Sequence, residues 1–224
     1  MIHSPGGYYT AARPLVTCTP MNTPSHRFDR DYYQRYYFES RTAVTSPKEM
    51  QARARLIAAY VEHIGLPVRR MLDAGCGVGL LRKPLVRLLP RATYVGLEVS
   101  EYLCSRYGWE HGLLQHYRSP TPFDLVICYD VLQYLDDEDA ASALANLSRL
   151  CRGVLYFTAL TAGDWRWNCD QRRTDSNVHL RSGEWYRQRL RRSFREIGAG
   201  FWLRRGAPLT VWELEAMPGR GGGT

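Results

Sequence analysis

The sequence lacks any apolar run long enough to span a membrane. A transmembrane helix needs about 18 or more successive apolar residues, and no stretch of the 224-residue chain approaches that length. The N-terminal residues also lack the apolar segment after a basic start that marks a secretory signal. We therefore expect a cytoplasmic protein without a membrane partner.

Paired metal or disulfide ligands are also missing. The six cysteines are scattered, none of them form a CxxC pair, and the histidines form no HxH or HxxxH cluster. These absences argue against a zinc site and a disulfide framework. We expect reduced thiols that are mostly buried, and we assign no metal.

Lysine is nearly absent, although the chain is basic. Lys48 and Lys83 are the only lysines, arginine supplies the other 28 basic residues, and the net charge is +8. Residues 165–205 hold 11 arginines and four acidic residues. A basic surface can attract a carboxylate, a phosphate or RNA, whereas arginines four apart, such as Arg187 and Arg191, also fit the solvated face of a helix. Nucleic acid therefore stays open as a partner.

Composition divides the chain into one domain and two tails. Residues 1–26 and 217–224 lack periodicity and are rich in turn-forming residues, which predicts mobile tails. Residues 27–216 are enough for a single domain with a full core. Strand-like runs within it occupy 70–73, 93–98, 123–129 and 154–158. Helical patterns occupy 47–64, 79–89, 100–107, 137–150 and 184–194.

The order of these elements predicts an α/β fold. Strands that alternate with helices form a parallel sheet through right-handed crossovers, with helices on both faces. A weak third strand is expected around 112–114. The end of the chain differs, because GAGFWLRR and PLTVWELE flank a turn at 205–207, which predicts an antiparallel hairpin. We therefore expect a doubly wound, mostly parallel seven-stranded sheet with an antiparallel C-terminal hairpin.

The strongest chemical signal is the glycine-rich turn after the first strand, in LDAGCGVGL over 72–80. Glycines let the backbone approach a ligand closely, and ligands of open α/β sheets bind at the carboxyl ends of strands. A dinucleotide site prefers GxGxxG, whereas Gly75, Gly77 and Gly79 are spaced GxGxG. Asp73 is badly placed for a phosphate and well placed for an ammonium group. The pattern favours an amino-acid-bearing cofactor over NAD.

The second signal is an acidic residue at the tip of the second strand. Glu98 ends the run TYVGLE and follows Gly79 by 19 residues. A carboxylate at about this distance can accept both hydroxyls of a ribose. Either signal alone is weak, but both in this order predict a nucleoside-bearing ligand.

With these motifs, residues 45–160 resemble the class I S-adenosylmethionine-dependent methyltransferases. The resemblance rests on LDAGCGVG, GLEVS and FDLVICYDVLQYLDD, and the C-terminal hairpin and FDRDYYQRYYF agree with it. It implies a Rossmann-like methyltransferase fold, S-adenosylmethionine as cofactor and S-adenosylhomocysteine as product. Val131, Leu132 and Tyr134 would begin the wall that faces the acceptor. The implied cofactor-binding residues are Asp73, Gly75, Cys76, Gly77, Gly79, Glu98, Val99, Gln115, Tyr129 and Asp130.

Two segments outside the glycine-rich core can cover the acceptor. The N-terminal helical region, 27–64, carries Tyr32, Tyr33, Tyr36 and Tyr37 at helical spacing and is interpreted as a lid, or as a helix that simply packs on the domain. An insertion after the fifth strand, 160–182, is polar and too long for a simple connection. The candidate catalytic residues are His179, whose intrinsic pKa suits a base, Asp164 and Tyr33.

The resemblance predicts methyl transfer by in-line displacement to nitrogen or oxygen of a small-molecule acceptor. Two alternatives stay open: a methyltransferase acting on RNA or protein, and a non-catalytic protein that binds S-adenosylmethionine. The chain has neither an Asn/Asp-Pro-Pro-Tyr/Phe tetrapeptide nor a Pro-Cys motif after the fourth strand, which argues against methylation of nucleic-acid bases. The sequence does not indicate an oligomeric state.

Overall fold

The computed structural model describes residues 27–39, 41 and 43–211. The tails predicted over 1–26 and 217–224 lie outside these residues. No helix in the described ranges combines the length and the apolar character that crossing a bilayer requires.

Seven strands of the described chain form one sheet in the order β3-β2-β1-β4-β5-β7-β6. The first five strands pair in parallel, and β7 lies antiparallel to both β5 and β6. The predicted fold class is therefore confirmed. The strands are β1 (Arg70–Ala74), β2 (Thr93–Glu98), β3 (Glu110–His111), β4 (Phe123–Tyr129), β5 (Cys151–Thr158), β6 (Phe194–Glu196) and β7 (Phe201–Arg204).

Helices cover both faces of the sheet. Side chains alternate between the faces along each strand, so Met71 packs with α2 and α3 while Leu72 packs with α5 and α7. A π-helix, Gln34–Phe38, continues the first helix, and a 3-10 turn, Leu132–Tyr134, follows β4. The α-helices are α1 (Arg30–Tyr33), α2 (Pro47–His63), α3 (Arg82–Leu88), α4 (Glu101–Tyr107), α5 (Asp137–Leu150), α6 (Ala162–Trp167) and α7 (Gly183–Leu190).

Local capping fixes where the core helices begin. The Ser46 hydroxyl accepts the Glu49 N–H at 3.2 Å, and the Glu49 carboxylate accepts the Ser46 N–H at 2.7 Å, which completes a capping box. At α5 the Asp136 carboxylate accepts the Asp139 N–H, which is a simple N-cap. These caps explain why α2 and α5 begin where the sequence predicts.

The C-terminal hairpin exists but turns at a different place. The predicted turn at 205–207 is wrong, because the chain reverses at 197–200, where Gly198, Ala199 and Gly200 all have positive φ (87°, 49° and 84°). The end of the predicted 184–194 helix becomes β6, and α7 stops at Leu190. Residues 208–211 form no strand, and the rest of PLTVWELE lies outside the described residues.

The third strand is shorter and earlier than predicted. β3 contains only Glu110 and His111, which pair with Leu97 and Glu98 of β2. Both β3 residues are exposed at the sheet edge. A two-residue polar edge strand shows no alternation of apolar and polar residues, so only its pairing with β2 defines it.

Candidate functional site

A cavity of about 440 Å³ lies at the carboxyl ends of β1, β2 and β4. This is the edge of a parallel sheet where α/β proteins bind ligands. The floor is formed by the glycine-rich turn after β1, by the tip of β2 and by the segment after β4. The cavity is covered by Met50 of α2, by residues within 160–175, and by Phe28, Tyr32, Tyr33, Tyr37, Val44 and Thr45. These N-terminal residues and Met50 are the part of the predicted lid region, 27–64, that lines the cavity, whereas most of α2 packs in the core.

Backbone hydrogen bonds tie the glycine-rich turn to β2. The N–H groups of Gly75 and Cys76 both donate to the Leu97 carbonyl, at 2.8 and 3.1 Å. Gly75 has a φ of 77°, and a Cβ there would lie 2.4 Å from a Val131 methyl. Only glycine fits this position without moving its neighbour. Gly75 and Cys76 both line the cavity, and burial raises the pKa of the Cys76 thiol, which keeps it neutral.

The other two glycines of the turn differ from each other. A Cβ on Gly79 would lie 2.5 Å from the Trp109 ring, and Gly79 is not among the cavity-lining residues, so packing explains this glycine. Gly77 lines the cavity with a φ of 53°, and a Cβ there would meet no protein atom within 4 Å. The space beside Gly77 is therefore free for a ligand.

Glu98 is the acidic centre of the cavity floor. Its side chain is 4% exposed, and Oε2 accepts the Gly77 N–H at 2.8 Å. Oε1 accepts the N–H groups of Val99 and Ser100 at 2.9 and 3.0 Å, and the Tyr33 hydroxyl lies 3.5 Å away. Burial raises the pKa of Glu98, and the backbone N–H donors oppose that shift. Oε1 already receives three donors and Oε2 only one, so Oε2 keeps a lone pair for a further hydroxyl donor, and a second hydroxyl would replace the long Tyr33 contact at Oε1.

Asp73 lies near the end of β1 and is almost fully buried, at 3% exposure. Its Oδ2 accepts the Tyr94 hydroxyl at 2.6 Å. Burial raises the pKa of Asp73 to about 7, although the bond from Tyr94 lowers it. In the free protein this carboxyl is thus partly protonated near neutral pH, and a cationic ligand would favour its ionised form.

Gln115 follows β3 and lines the same cavity. It is 6% exposed, and its Oε1 has no hydrogen-bond partner among the described residues. A buried polar atom without a partner is rare and costly in a folded protein. The Gln115 oxygen is therefore placed to accept a hydrogen bond from a ligand.

Tyr129 and Asp130 end β4 beside the glycine-rich turn, and both line the cavity. The Arg53 guanidinium lies 4.0 Å from the centre of the Tyr129 ring. Asp130 has a φ of 55°, and its carboxylate accepts the Thr158 hydroxyl at 3.0 Å. Burial raises the pKa of Asp130. A non-glycine residue in this left-handed conformation points to a constrained site.

The two covering segments contact each other and the wall after β4. Arg27 forms an ion pair with Asp175 at 2.8 Å, and Arg173 donates to the Ala43 carbonyl. The Tyr32 hydroxyl donates to the Tyr134 hydroxyl at 3.1 Å. These contacts bring together residues more than 100 positions apart, so they close the cavity from two sides.

The four tyrosines pack in pairs four residues apart, as their spacing predicts, but a π-helix carries part of the stripe. Tyr32 packs on Tyr36 with ring centres 4.9 Å apart, and Tyr33 packs on Tyr37 at 5.4 Å. The π-helix supports this packing in place of a continuous α-helix. Tyr32, Tyr33 and Tyr37 line the cavity, while Tyr36 does not.

The three candidate catalytic residues lie in different places. Tyr33 contacts Glu98, on the cofactor side, and burial raises the pKa of its hydroxyl. Asp164 lines the cavity, but hydrogen bonds from Thr161 and Asn168 lower its pKa. His179 is exposed and is not a cavity-lining residue; its backbone N–H donates to the Gln133 carbonyl at 2.7 Å. The structure therefore does not bring these three side chains together.

Sequence reasoning missed Arg181, which anchors the insertion. Its buried guanidinium donates to the carbonyls of Leu132 and Leu135 at 2.9 and 2.6 Å, and to the Asp137 carboxylate at 2.7 Å. The Ala162 N–H donates to the Arg181 carbonyl at 2.9 Å, which closes the base of the insertion. No local signal distinguishes Arg181 from the other arginines of this segment.

We expect Arg181→Ala to lower the free energy of unfolding by about 3 kcal/mol, because it leaves buried acceptors without a donor. Chemical denaturation measures this change. Arg172→Ala removes an exposed arginine of the same insertion and should change stability by less than about 0.5 kcal/mol. A loss below about 1 kcal/mol for Arg181→Ala would contradict its anchoring role.

We expect Gly77→Ala and Gly108→Ala to separate backbone strain from ligand binding. Both glycines have positive φ and open space around them, but only Gly77 lines the cavity. Each variant should lose about 1–2 kcal/mol of stability. Only Gly77→Ala should weaken binding of an adenosyl ligand, by at least about tenfold, because its methyl group occupies the cavity wall. Equal affinities of the two variants in calorimetry would refute the assignment.

Comparison with known proteins shows which family the central part of the chain resembles. Residues 72–153 match a family model described as a methyltransferase domain. This match covers 82 of the 224 residues, so the central segment is similar to methyltransferase domains. This match, with the strand order, confirms the resemblance to class I S-adenosylmethionine-dependent methyltransferases. No group of three or more His, Cys, Asp or Glu side chains in the described ranges is arranged to hold a metal.

A curated relative agrees with the family match. The ubiquinone biosynthesis O-methyltransferase of Methylococcus capsulatus is 31% identical over 113 residues, which cover 44% of this chain and 46% of that protein. The chain thus spans about half the length of the curated relatives that it matches.

Two solved structures share the fold of this chain. The magnesium protoporphyrin IX methyltransferase of Synechocystis, with bound S-adenosylhomocysteine, has a TM-score of 0.56 at 20% identity, covering 78% of this chain and 93% of that one. The N-methyltransferase NodS of Bradyrhizobium japonicum, also with S-adenosylhomocysteine, has a TM-score of 0.58 at 17% identity, covering 82% and 100%. At these sequence identities the structural similarity establishes only that the fold is shared.

Proposed function

We propose that this protein transfers the methyl group of S-adenosylmethionine to nitrogen or oxygen of a small-molecule acceptor. The observation that carries the proposal is one cavity that contains the free space beside Gly77, the buried carboxylate of Glu98 and the unpartnered amide oxygen of Gln115. Each of these features matches a different part of an adenosyl amino acid.

The residues present fit that cofactor. Asp73 would pair with its ammonium group, Glu98 would accept its ribose hydroxyls, and Val99 would lie beside its adenine. The Gln115 oxygen would accept a hydrogen bond from the adenine amino group, which supplies the donor that the described residues do not provide. We do not propose Gly79 as a cofactor contact, because the close packing of the Trp109 ring already explains why this position is glycine.

When bound, S-adenosylmethionine supplies a methyl group on a sulfonium sulfur for in-line displacement. The task of this chain is then to position the acceptor and to exclude water. The lining residues within 28–37 and at 44 and 45, together with the insertion, would exclude water, since they cover the cavity and Arg27 pairs with Asp175. Asp130 would receive a proton from the acceptor, because burial raises the pKa of this cavity carboxyl. His179 is too exposed for this role, and the lowered pKa of Asp164 makes it the weaker base.

A small molecule fits this arrangement better than RNA or a protein segment. The acceptor side of the cavity is closed by the Arg27–Asp175 ion pair and the Tyr32–Tyr134 hydrogen bond. A polymer would require both contacts to open. The arginines of α7 lie on the outside of the domain, where they fit a solvated helix face.

Thermal shift measurements with S-adenosylmethionine, S-adenosylhomocysteine and NAD test the proposal. At about 100 times the dissociation constant, each adenosyl amino acid should raise the melting temperature by roughly 5–10 °C. NAD should have no comparable effect, because its pyrophosphate would approach Asp73 and Glu98. Stabilisation by NAD alone, or by none of the three, would disprove the proposed function.

A further inference from the structure

Gln133 brings an unpartnered amide oxygen to the acceptor side of the cavity. The residue lines the cavity and is 4% exposed, and its Oε1 has no hydrogen-bond partner among the described residues. Leaving a buried acceptor unpaired destabilises the folded protein. The oxygen is therefore suited to a donor that comes with a ligand.

The backbone around Gln133 is held firmly, which leaves its side chain free to serve a ligand. The Gln133 carbonyl accepts the His179 N–H at 2.7 Å, and the carbonyls of Leu132 and Leu135 accept from Arg181 at 2.9 and 2.6 Å. The terminal torsion of glutamine is soft. The amide can therefore turn its oxygen toward a bound donor at little cost.

The cavity is acidic, although the chain carries a net charge of +8. Six carboxyl groups among the described residues line it, and Arg173 is the one arginine or lysine of that described lining. Asp73 and Glu98 belong to the proposed cofactor part, and Asp175 is paired with Arg27. The carboxyl groups of Asp130, Asp164 and Asp170 then exceed the guanidinium of Arg173 together with that of Arg53, which acts on Asp130 from beside the Tyr129 ring. This charge balance repels anions and attracts cations.

We infer that Gln133 recognises the acceptor and that the acceptor is a primary or secondary amine. The amine N–H donates to Gln133 Oε1, and the acidic lining draws in a molecule that is cationic in solution. This inference rests on the proposed methyl transfer. In that reaction the bound ammonium first transfers one proton to the Asp130 carboxylate, and the lone pair of the resulting neutral amine forms the new N–C bond. The S–C bond breaks with its electron pair moving to sulfur, and the methylated ammonium leaves with its remaining protons.

Three ligands of nearly equal shape test the charge preference. Benzylamine, benzyl alcohol and benzoate each carry a ring that suits the aromatic wall of Phe28, Tyr32 and Tyr134. Their dissociation constants are measured by saturation-transfer NMR on the full chain loaded with S-adenosylhomocysteine. We expect benzylamine to bind at least about fivefold more tightly than benzyl alcohol, and benzoate to bind most weakly. Benzylamine binding no tighter than benzoate would overturn the inference.

Two matched glutamine variants test whether Gln133 binds the acceptor. Gln133→Leu should weaken benzylamine binding by about tenfold, leave S-adenosylhomocysteine affinity unchanged, and keep or raise the melting temperature, since it removes an unsatisfied buried atom. Gln115→Leu removes the other orphaned glutamine and should show the reverse pattern, with weakened S-adenosylhomocysteine binding and unchanged benzylamine binding. Wild-type benzylamine affinity in Gln133→Leu would overturn the assignment.

The same experiment distinguishes this inference from the proposed function. If the wild-type protein does not bind S-adenosylhomocysteine, the proposed cofactor fails, and the ranking of the three ligands on the free protein still reports on Gln133 and the acidic lining. If S-adenosylhomocysteine binds but the amine preference is absent, only the inference about the acceptor fails.

Discussion

Glu98→Ala should weaken S-adenosylhomocysteine binding by about 100-fold or more. Each hydrogen bond to a buried carboxylate contributes roughly 1.5–3 kcal/mol, and two ribose hydroxyls would bind Glu98. Losing both corresponds to at least about 3 kcal/mol, or more than two orders of magnitude in affinity. Isothermal titration calorimetry measures the change directly.

Glu98 also supports the glycine-rich turn, so the variant needs structural controls. Its oxygens accept the N–H groups of Gly77, Val99 and Ser100, and the melting temperature of Glu98→Ala should therefore fall as well. Glu98→Gln keeps the size and one acceptor oxygen and should lose less affinity. Glu101→Ala removes an exposed carboxylate from the first turn of α4 and should leave affinity unchanged. Glu98→Ala within threefold of the wild type would refute the ribose assignment.

S-adenosylhomocysteine affinity should fall as the pH drops below about 7. The reason is Asp73, whose pKa burial raises to about 7 in the free protein. An ammonium group bound beside it requires the ionised form. Below pH 7 binding must therefore release a proton, so affinity declines by up to about tenfold per pH unit. Calorimetry between pH 5.5 and 7.5 measures the slope.

Asp73→Asn should remove this part of the pH dependence and bind S-adenosylhomocysteine roughly tenfold or more weakly at pH 7.5. An asparagine oxygen can still accept the Tyr94 hydroxyl, so the site keeps its packing. Burial also raises the pKa of Glu98 and Asp130, so a smaller slope should persist. A variant that keeps the full wild-type slope would exclude Asp73 as the titrating group.

The same substitution has an opposite effect on stability. Because the folded pKa of Asp73 lies above the unfolded value, the folded protein binds more protons between about pH 4 and pH 7. Its contribution to stability is therefore lost as the pH rises through this window. Asp73→Asn should raise the melting temperature of the ligand-free protein at pH 7.5. A buried carboxylate that costs stability yet binds the ligand is typical of a functional site.

The sequence predicts the parallel core with little error. β2 and β4 have the bounds that their apolar runs predict, and α5 occupies 137–150 as its helical pattern predicts. These signals are local, because a strand or a capped helix reveals itself within ten or so residues. The glycine-rich turn was found for the same reason, since its spacing follows from the backbone conformations it must adopt.

The hairpin shows where local signals fail. GAGFWLRR contains both the real turn and β7, but the Gly at 206 gives an equally plausible turn. The choice depends on the pairing of β7 with β5, where Leu203 lies opposite Val154 and Trp202 lies opposite Leu155. Such pairing joins residues about 50 positions apart, so the sequence of either segment alone does not predict it.

The amino-acid sequence by itself determined the parallel core of the sheet and the two carboxylates, Asp73 and Glu98, near the carboxyl ends of β1 and β2. Spacing and periodicity encode backbone geometry locally, and local geometry is enough to predict these elements. Only the tertiary structure decided which side chains share the cavity. It placed Gln133 beside Asp130 in the cavity lining, left His179 outside, and joined the covering segments through Arg27 and Asp175. Those contacts depend on burial and charge pairing between distant parts of the chain, which no window of sequence contains.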